Sequence, residues 1–580
     1  MQRIRTGGES VPICPKPRFA KFIVIFLAFT LSYLYLCSLK KPVGSQDWLF
    51  PFLVAGLNPF KFFWQDWRLK RPYRRFRDRE DRPRRLNALI FSWLTVILGT
   101  IYLLGAGRLV LKTRQVQDFL FLGAETLAFL LLVVLALDLW HLRYHRPEGV
   151  EAPEKYPVDI FITCCGEPLE VIRTTLKAAK EIDYQPREIY VLDDGGGSPM
   201  VAELARTLGF HYLSRPLAGA PLRDNKSGNL NFGLTLSQGE LILVLDADQI
   251  PAPDILTRLT GYFRFPEVAY VQAKPSFFLP DGDPFFNRDE IFYDTVQLSN
   301  DQANAVISCG SGVVYRRRAL EEMGGFATWN IVEDLTTSYE LVSRGWKGIY
   351  HPYTLARGLA PETLAGFCRQ RFQWCLDAMR LFFWDNPLTK SGLAAGQRCH
   401  FLVIMLAYLM SGLALPVFYL MPLMYYWRGH SFVNGWEPWY LILRGAYLLA
   451  TILMFRYLFF RKAALKQFKI LCGLFSVYAL AIIWAVFHPP GRKPAYKANN
   501  LNPFLERLGG WYLAPHFGLI SLHLTLPFFS LALGWAPPRL IAFNALFSAF
   551  IVWVLSEMVL VGWRKPRWSR AMDPRQVYGS

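Results

Sequence analysis

The 580-residue sequence lacks the residue patterns of a disulfide-bonded or zinc-binding protein. Its nine cysteines are scattered singly, apart from the adjacent Cys164 and Cys165, with no C-x-x-C motif and no histidines at zinc-ligand spacing. The polar middle of the chain also lacks internal repeats and low-complexity tracts. No small-residue cleavage site follows the first apolar segment, which argues against a signal peptide. We therefore assign no cysteine to a disulfide or to a metal.

Charged residues make up only 19% of the chain, whereas 52% of the residues are hydrophobic and 16% are aromatic. This composition excludes disorder and indicates several domains, some of them in lipid. The formal charge of +19 would also suit a nucleic-acid-binding protein, but the basic residues flank apolar segments, as at 68–85, 461–469 and 564–570. Such clusters are typical of the cytoplasmic side of membrane proteins. The sequence therefore predicts membrane lipid, and not nucleic acid, as a partner.

We predict about eight membrane-spanning segments, four on each side of the polar middle. The candidates are 22–39, 48–64, 88–107 and 118–141, followed by 401–427, 437–460, 512–535 and 539–562. The second is short and contains prolines, so that an interfacial helix is its alternative. An even number of crossings keeps the basic N-terminus and the run at 68–85 in the cytoplasm. The stretch 468–488 is placed at the membrane interface, because one more span would carry the basic C-terminus outside.

The middle of the chain is predicted to be a cytoplasmic α/β domain. Apolar, β-rich runs such as "VDIFITCC", "EIYVLDD" and "ELILVLDAD" alternate with stretches of helical periodicity. This alternation predicts a mostly parallel sheet, whose ligands bind beyond the carboxyl ends of the strands. The predicted regions are an N-terminal transmembrane region (1–149), the α/β domain (150–385), a C-terminal transmembrane region (386–563) and a basic cytoplasmic tail (564–580).

Acidic residues follow the predicted strands at this edge of the sheet. Asp246 and Asp248 are spaced i, i+2 at a strand end, an arrangement that can clamp a divalent cation and so neutralise a diphosphate. Asp193 and Asp194 open a glycine-rich turn in which the backbone can approach a nucleotide closely. Turn formation and helix capping are the alternative interpretations of both pairs.

Further polar residues have side chains suited to sugar transfer. Lys226 could pair with a phosphate, although one lysine in a polar loop is weak evidence. Asp334 lies just before an amphipathic helix that begins near Leu335, where it could accept the proton of an attacking sugar hydroxyl or cap the helix. Gln370 and Trp374 share one helix face, which could hold the end of a sugar chain or lie at a membrane surface.

The order of these motifs resembles that of the membrane-integrated processive family-2 glycosyltransferases, most closely the bacterial cellulose synthase catalytic subunits. The shared series is "DDGGG", "KSGN", "DAD", "SCGS" (308–311), "VED" (332–334) and "QRFQW" (370–374), and the resemblance covers roughly 150–500. It implies a GT-A glycosyltransferase domain inserted between two α-helical transmembrane regions. It also implies a processive, inverting enzyme that polymerises glucose from UDP-glucose into a β-glucan, cellulose foremost, and translocates it across the plasma (inner) membrane.

The resemblance further implies roles for individual residues, a divalent cofactor and periplasmic or envelope accessory subunits as partners. The implied assignments are Glu167, Asp193, Asp194, Lys226, Asp246 and Gln370 for the nucleotide sugar, Asp246 and Asp248 for Mg²⁺ or Mn²⁺, Asp334 for the catalytic base, and Cys309, Gly310 and Trp374 for the growing β-glucan chain.

A loop at 489–504 occupies the position of the gating loop of cellulose synthases. Its Tyr496 and Lys497 could close over the nucleotide, but the loop lacks the usual valine-threonine core, and a plain basic loop is the alternative. The chain ends about eighteen residues after its last predicted span, which is too short for a cyclic-di-GMP-binding PilZ domain. Control by that nucleotide within this chain is therefore not expected.

Three departures from the family pattern concern the product rather than the reaction class. Cys165 replaces an aromatic residue that would pack on uracil, Gln373 replaces the motif arginine, and "VED" lacks the threonine of T-E-D. Arg371 points to another side of its helix and does not replace the arginine. The product stays open between cellulose, a mixed 1,3;1,4-β-glucan and a curdlan-like 1,3-glucan. Alternatives from other classes are a non-processive glycolipid glycosyltransferase and a transporter or scaffold with a degenerate transferase domain.

Overall fold

The computed structural model describes residues 76–77, 82–140, 142, 145–146, 155–278, 283–287, 289, 291–361, 363–429, 438–458, 463–494 and 508–562. The predicted spans 22–39 and 48–64 and the tail 564–580 lie outside the described residues, as do Tyr496 and Lys497. The predictions made for these segments stay predictions.

Two long apolar helices precede the sheet. α1 (Arg82–Thr113) and α2 (Val116–Leu139) follow one another through a short connection. α2 and the Leu86–Lys112 part of α1 are each long and apolar enough to cross a membrane. The predicted segments 88–107 and 118–141 therefore fall on these two helices.

The α/β domain contains eight strands that form one sheet. The strands are β1 (Val158–Cys164), β2 (Arg187–Asp193), β3 (His211–Leu213), β4 (Leu241–Asp246), β5 (Ile250–Pro251), β6 (Val268–Phe278), β7 (Val313–Arg316) and β8 (Lys347–Leu359). The helices are α3 (Leu169–Lys180), α4 (Pro199–Leu208), α5 (Asn225–Leu236), α6 (Ile255–Leu259), α7 (Gln297–Ala303), α8 (Arg317–Met323), α9 (Glu333–Ser343) and α10 (Leu364–Trp384).

The sheet is mixed, with the strand order β3-β2-β1-β4-β7-β6-β8-β5. β3, β2, β1 and β4 are mutually parallel, and β6 is parallel to β8. β7, however, is antiparallel to both of its neighbours, and β5 is antiparallel to β8. The predicted mostly parallel sheet is therefore correct for six of the eight strands, which run in one direction, whereas β5 and β7 run against them. The chain reaches β7 through the loop 304–312, and no helical crossover makes β7 parallel to its neighbours. Hydrophobic periodicity alone does not reveal the direction in which a strand runs.

Alternate residues of the central strands fill two separate hydrophobic cores. Ile160 and Ile162 of β1 belong to one core, whereas Phe161 belongs to the other. All seven residues of β1 are buried, as expected for a strand that is covered on both faces. The core that contains Phe161 also includes Tyr102 of α1 and Met405. One face of the sheet is therefore continuous with the packing of the long apolar helices.

Seven further helices follow the α/β domain within the described part of the chain, and a π turn (Met410–Ala414) joins the first two. They are α11 (Ala395–Leu409), α12 (Leu415–Arg428), α13 (Pro438–Leu458), α14 (Ala463–Gly473), α15 (Phe475–Phe487), α16 (Ala514–Ala532) and α17 (Pro538–Gly562).

Five helices of the described residues are long and apolar enough to cross a membrane, including Ala395–Trp427, Trp439–Leu458 and Pro538–Gly562 in the C-terminal region. α14 and α15 form an apolar pair bent by 50°, as in a broken span or a re-entrant segment. The interfacial placement of 468–488 thus stays a prediction.

α16 lies within the predicted span 512–535 but is not among these five helices. Two buried histidines lower its hydropathy. Their side chains are hydrogen-bonded to carbonyl oxygens of neighbouring helices, His516 Nε2 to Gly473 at 2.7 Å and His523 Nε2 to Tyr419 at 3.0 Å. α16 therefore joins the helix bundle through polar contacts as well as apolar ones.

Candidate active site

The carboxyl ends of three parallel strands bring acidic residues together. Cys164 of β1 is in register with Asp193 of β2, and Thr163 of β1 is in register with Asp246 of β4. Thr163 Oγ1 lies 3.4 Å from Asp246 Oδ1. Because the strands run in one direction, the loops that follow them lie side by side at one edge of the sheet. Glu167, which follows β1, belongs to the same group of loops.

Asp193 shapes the glycine-rich turn after β2. Its Oδ1 accepts a hydrogen bond from Gly195 N at 2.7 Å, and its Oδ2 accepts from Ser198 N at 3.1 Å and from the Tyr212 hydroxyl at 2.6 Å. The turn packs closely, since a Cβ at Gly195 would lie 2.5 Å from Gly166 N. Asp193 therefore holds the backbone of the predicted nucleotide turn in place.

Asp194 forms a buried ion pair with Arg215. Arg215 donates from Nε to Asp194 Oδ1 at 2.9 Å and from Nη2 to Oδ2, and the two side chains are 4% and 9% exposed respectively. The same guanidinium donates to the carbonyl oxygens of Pro221, Arg223 and Asn225. A planar group with five donors can serve a carboxylate and several carbonyls at once. Arg215 thus joins the nucleotide turn to the loop that enters α5.

Asp246, Asp248 and Glu167 form an acidic cluster. Burial, reinforced by Asp246 and Glu167, raises the pKa of Asp248 to about 7, and burial also raises the pKa of Glu167. A cation bound beside Asp248 and Glu167 would favour their ionised forms. Within the described residues, no three histidine, cysteine or acidic side chains form a complete metal-binding group. Two carboxylates together with diphosphate oxygens nevertheless fit a divalent cation such as Mg²⁺, which takes few protein ligands at phosphate-binding sites.

Lys226 lies at the centre of the site. Its Nζ is 2.6 Å from Asp246 Oδ1 and 3.2 Å from Glu333 Oε1, and it donates a hydrogen bond to Gly310 O at 2.8 Å. Although burial favours the neutral amine, the two carboxylates hold the pKa of Lys226 above its ordinary value. Lys226 is therefore a cation that links the acids after β4 to the acids at the start of α9.

Asp334 is the second residue of α9, close to the predicted helix start near Leu335. Its Oδ1 accepts a hydrogen bond from Leu335 N at 2.6 Å. Val332 is the N-cap residue, so Asp334 is not the capping residue of the helix. Burial and the adjacent Glu333 raise the pKa of Asp334 to about 8, although Lys226 opposes the rise. A carboxyl group with a pKa near neutrality is suited to accept a proton.

Gly310 lies between Lys226 and Asp334. A Cβ at this position would be 3.1 Å from Asp334 Oδ2 and 3.1 Å from Lys226 Nζ, and the backbone has a φ of +74°. A residue with a side chain would be strained in this conformation and would press on both groups. The glycine therefore permits the close approach of the loop 308–311 to Asp334.

Hydrogen bonds on either side of Gly310 hold the same loop against β6 and the end of β4. Cys309 N donates to Gln272 Oε1 at 2.7 Å, and Ser311 Oγ accepts from Asp246 N at 3.0 Å. Burial raises the pKa of the Cys309 thiol well above its ordinary value, so this side chain is a neutral wall of the site.

The helix α10 carries Gln370 and Trp374, both half-buried. Gln373, at the position of the motif arginine, is 7% exposed. Arg371 lies on another side of α10, where its Nη1 is 2.6 Å from Asp289 Oδ2. The charge that the family motif places at 373 is therefore absent here, and Arg371 does not restore it.

α10 also supports the segment that leads to Asp334. Asp377 accepts hydrogen bonds from Ile331 N at 3.1 Å and from Val332 N at 2.8 Å. Arg380 donates to Asn330 Oδ1 at 2.8 Å. These contacts fix the backbone immediately before Glu333 and Asp334.

The described beginning of the predicted gating loop, 489–494, contacts the same region. Arg380 donates to His488 O at 2.9 Å and to Pro489 O at 3.2 Å. Lys493 Nζ donates to Thr328 O at 2.7 Å and lies 3.3 Å from Asp224 Oδ1. The chain that enters the loop is thus anchored beside the site, whereas the roles of Tyr496 and Lys497 stay predictions.

Sequence reasoning missed three residues that build this site: Arg215, Gln272 and Asp377. Gln272 interrupts the apolar run "VAYVQAKP", and Asp377 interrupts the apolar helix "WCLDAMR". A polar residue in a buried run must find a hydrogen-bond partner, and this signal could have identified both. Arg215 lies in a loop, and its sequence neighbourhood gives no comparable signal.

The residues that form this site lie within a range that matches a known protein family. Residues 155–376 match the family model described as glycosyltransferase like family 2. The chain is 37% identical over 301 residues to the cellulose synthase catalytic subunit (UDP-forming) of Xanthomonas axonopodis pv. citri, an alignment that covers 49% of this chain and 40% of that protein. It is 34% identical over 365 residues to the corresponding subunit of Pseudomonas fluorescens, covering 59% of this chain and 48% of that protein. The chain thus spans less than half the length of these curated relatives.

Among solved structures, the chain is similar to a mannosyltransferase of Pyrobaculum calidifontis, determined with GDP-Man and Mn²⁺. The TM-score is 0.47 at 19% identity, and the match covers 63% of this chain and 99% of that chain.

The chain is therefore similar to family-2 glycosyltransferases over residues 155–376, which hold the mixed sheet and the acidic loops. Its curated relatives are cellulose synthase catalytic subunits, so the resemblance that the motifs indicated is confirmed.

Proposed function

We propose that this protein is a processive, inverting glycosyltransferase that polymerises glucose from UDP-glucose into a β-glucan, with cellulose as the first candidate product. The main support for this proposal is that the residues assigned to the donor and to the base lie next to one another. Lys226 contacts Asp246 of the donor side and Glu333 of the base side, and Gly310 lies between Lys226 and Asp334. The curated relatives, named UDP-forming cellulose synthases, support the choice of donor and product.

In the proposed reaction, a hydroxyl oxygen of the acceptor chain attacks the anomeric carbon of the donor glucose. The new glycosidic bond forms as the bond to the UDP oxygen breaks, and UDP leaves with the electron pair. Asp334 accepts the proton of the attacking hydroxyl, for which its raised pKa is suited. A single displacement with one base inverts the configuration at the anomeric carbon.

Asp246 and Asp248 would hold Mg²⁺ or Mn²⁺ on the donor side of this site. The bound cation would supply charge neutralisation at the diphosphate. Lys226 adds a fixed positive charge from the protein, since it is held by Asp246 and Glu333. Gln373 is neutral and cannot supply a positive charge here. Among the motif residues, Lys226 would therefore provide the positive charge near the UDP leaving group, and Gln370 would donate a hydrogen bond to the same diphosphate.

Trp374 would stack under the terminal sugar of the acceptor, and Cys309 and Gly310 would line the same region. The domain is followed in sequence by long apolar helices, which would form the channel for the product. We propose the plasma (inner) membrane as the location, with the transferase domain in the cytoplasm, and periplasmic or envelope accessory subunits as the partners that receive the chain. In this arrangement synthesis and export are one process.

Purified protein in nanodiscs, supplied with labelled UDP-glucose and Mg²⁺ or Mn²⁺, tests the proposal. We expect UDP release together with a polymer that a 1,4-β-glucanase digests. Digestion only by a 1,3-β-glucanase would identify a curdlan-like 1,3-glucan as the product, and digestion only by a mixed-linkage glucanase would identify a mixed 1,3;1,4-β-glucan. Turnover of UDP-N-acetylglucosamine instead would overturn the donor, and the addition of only one or a few sugars to lipid would identify a glycolipid transferase.

A further inference from the structure

A buried arginine covers one side of the Trp374 indole. The Arg371 Cζ atom lies 4.6 Å from the centre of the Trp374 ring, and 5.3 Å from the centre of the Phe367 ring. Arg371 is 4% exposed, whereas Trp374 is half-buried. A guanidinium stacked over an indole occupies that face of the ring. A sugar that stacks on Trp374 would therefore have to use the opposite face of the ring.

Two further residues fix the guanidinium in this position. Arg371 Nη1 lies 2.6 Å from Asp289 Oδ2, and the two side chains are 5% and 13% exposed. The other carboxylate oxygen of Asp289 accepts a hydrogen bond from Gln467 Nε2 at 2.9 Å. Asp289 has a left-handed backbone conformation (φ 46°), which an aspartate adopts rarely and which its contacts must stabilise. The contacts thus run from α14, through Asp289, to Arg371 and Trp374 on α10.

This arrangement is poorly suited to diphosphate binding. The charge of Arg371 is paired through Nη1 with the Asp289 carboxylate, which is 13% exposed. A guanidinium selected for phosphate would direct its donors at the ligand. Nη1 of Arg371 is instead directed at Asp289, and the flat surface of the guanidinium lies on aromatic rings.

On the basis of the proposed function, we infer that Arg371 is the positioning residue of the acceptor platform. It holds the Trp374 ring with one face toward the acceptor, and Asp289 and Gln467 hold Arg371. Without the guanidinium, the indole can turn about its side-chain torsions, and the terminal sugar loses its stacking surface between additions. Loss of the guanidinium should therefore weaken retention of the growing chain and leave the binding of UDP-glucose unchanged.

The variant Arg371→Lys keeps the positive charge and removes the planar group. We expect its polymer to be about fivefold shorter than the wild-type polymer, because a stacked cation contributes on the order of this factor to a contact. The KM for UDP-glucose should stay within about twofold of the wild-type value, since no donor contact changes. Asp289→Asn, which keeps the shape and weakens the hold on Arg371, should shorten the polymer in the same direction. Arg369→Lys on the same helix is the matched control and should leave the length unchanged.

A double-mutant cycle separates positioning from a general structural effect. If Arg371 acts through the indole, Arg371→Lys has no further effect on polymer length in a Trp374→Ala background. The inference is overturned by an equal shortening in that background, by a wild-type polymer length in Arg371→Lys, or by a rise in the KM for UDP-glucose. Wild-type protein that makes no polymer overturns the proposed function itself, and with it the acceptor platform.

Discussion

The Lys226 ammonium is 2.6 Å from Asp246 Oδ1 and 3.2 Å from Glu333 Oε1, so that one cation joins the two acidic pairs of the site. Asp246 belongs to the proposed donor side, and Glu333 is the neighbour of Asp334. Glu333 raises the pKa of Asp334 and Lys226 lowers it, so the protonation of Asp334 depends on this acid and on the lysine. Lys226 therefore contacts the acid after β4 and also influences the protonation of Asp334.

Removal of this cation should disable the enzyme. Lys226→Met keeps the aliphatic stem but leaves Asp246 and Glu333 without their shared partner. We expect UDP release from UDP-glucose to fall by about 100-fold or more, since removing one group that stabilises the charge of the leaving group costs on the order of this factor. Lys226→Arg is the matched control, because it retains the charge and should retain part of the turnover. Turnover of Lys226→Met close to the wild-type value would remove Lys226 from the donor site.

The pH dependence should follow the proton of Asp334. A base acts only when unprotonated, and the pKa of Asp334 is raised to about 8, so that kcat/KM should increase with pH through the range of about 7 to 9. Glu333 raises the pKa of Asp334, and Lys226 lowers it. Glu333→Gln should therefore move the rise in kcat/KM to lower pH, and Lys226→Met should move the residual activity to higher pH. Shifts in the opposite directions, measured by UDP release at saturating metal, would contradict this account.

Replacing the base itself should separate binding from chemistry. Asp334→Asn keeps the size of the side chain and cannot accept the proton. We expect turnover to fall by at least about 100-fold, because general base catalysis contributes factors of this order and above. UDP binding, measured by calorimetry in the presence of Mg²⁺, should be largely retained. Polymerisation at an appreciable rate would assign the proton to another group.

Much of this arrangement is predictable from the sequence, because motif order and strand periodicity both depend on local residues. The apolar run of β1 and the acid at the end of β4 predict buried strands with acidic residues at one edge of the sheet, as the structure has them. The direction of β7 is not predictable in this way, since it depends on how the chain returns from α7 to the sheet. The pairing of Asp194 with Arg215 is also hidden, because it joins two loops 21 residues apart.

Gly310 offers a test of the space between the lysine and the base. Gly310→Ala introduces a Cβ 3.1 Å from both Asp334 Oδ2 and Lys226 Nζ, at a φ of +74°. Gly324→Ala is the matched control: its φ is +88°, but nothing lies within 4 Å of the added Cβ. Both variants should lose about 1 kcal/mol of stability to backbone strain. Only Gly310→Ala should also lose most of its UDP release, and equal activity in the two variants would mean that the loop yields to the side chain.

The ion pair between Arg215 and Asp194 should stabilise the nucleotide turn. Arg215→Met leaves a carboxylate that is 9% exposed without its partner, and we expect a lower melting temperature together with weaker UDP binding. The double variant with Asp194→Asn should recover part of the melting temperature, because the uncompensated charge is then gone. Arg206→Met is the control, since its pair with Glu203 has side chains 73% and 66% exposed and should contribute little. If the melting temperature of Arg215→Met equals that of Arg206→Met, the turn is held by Asp193 and its three donors alone.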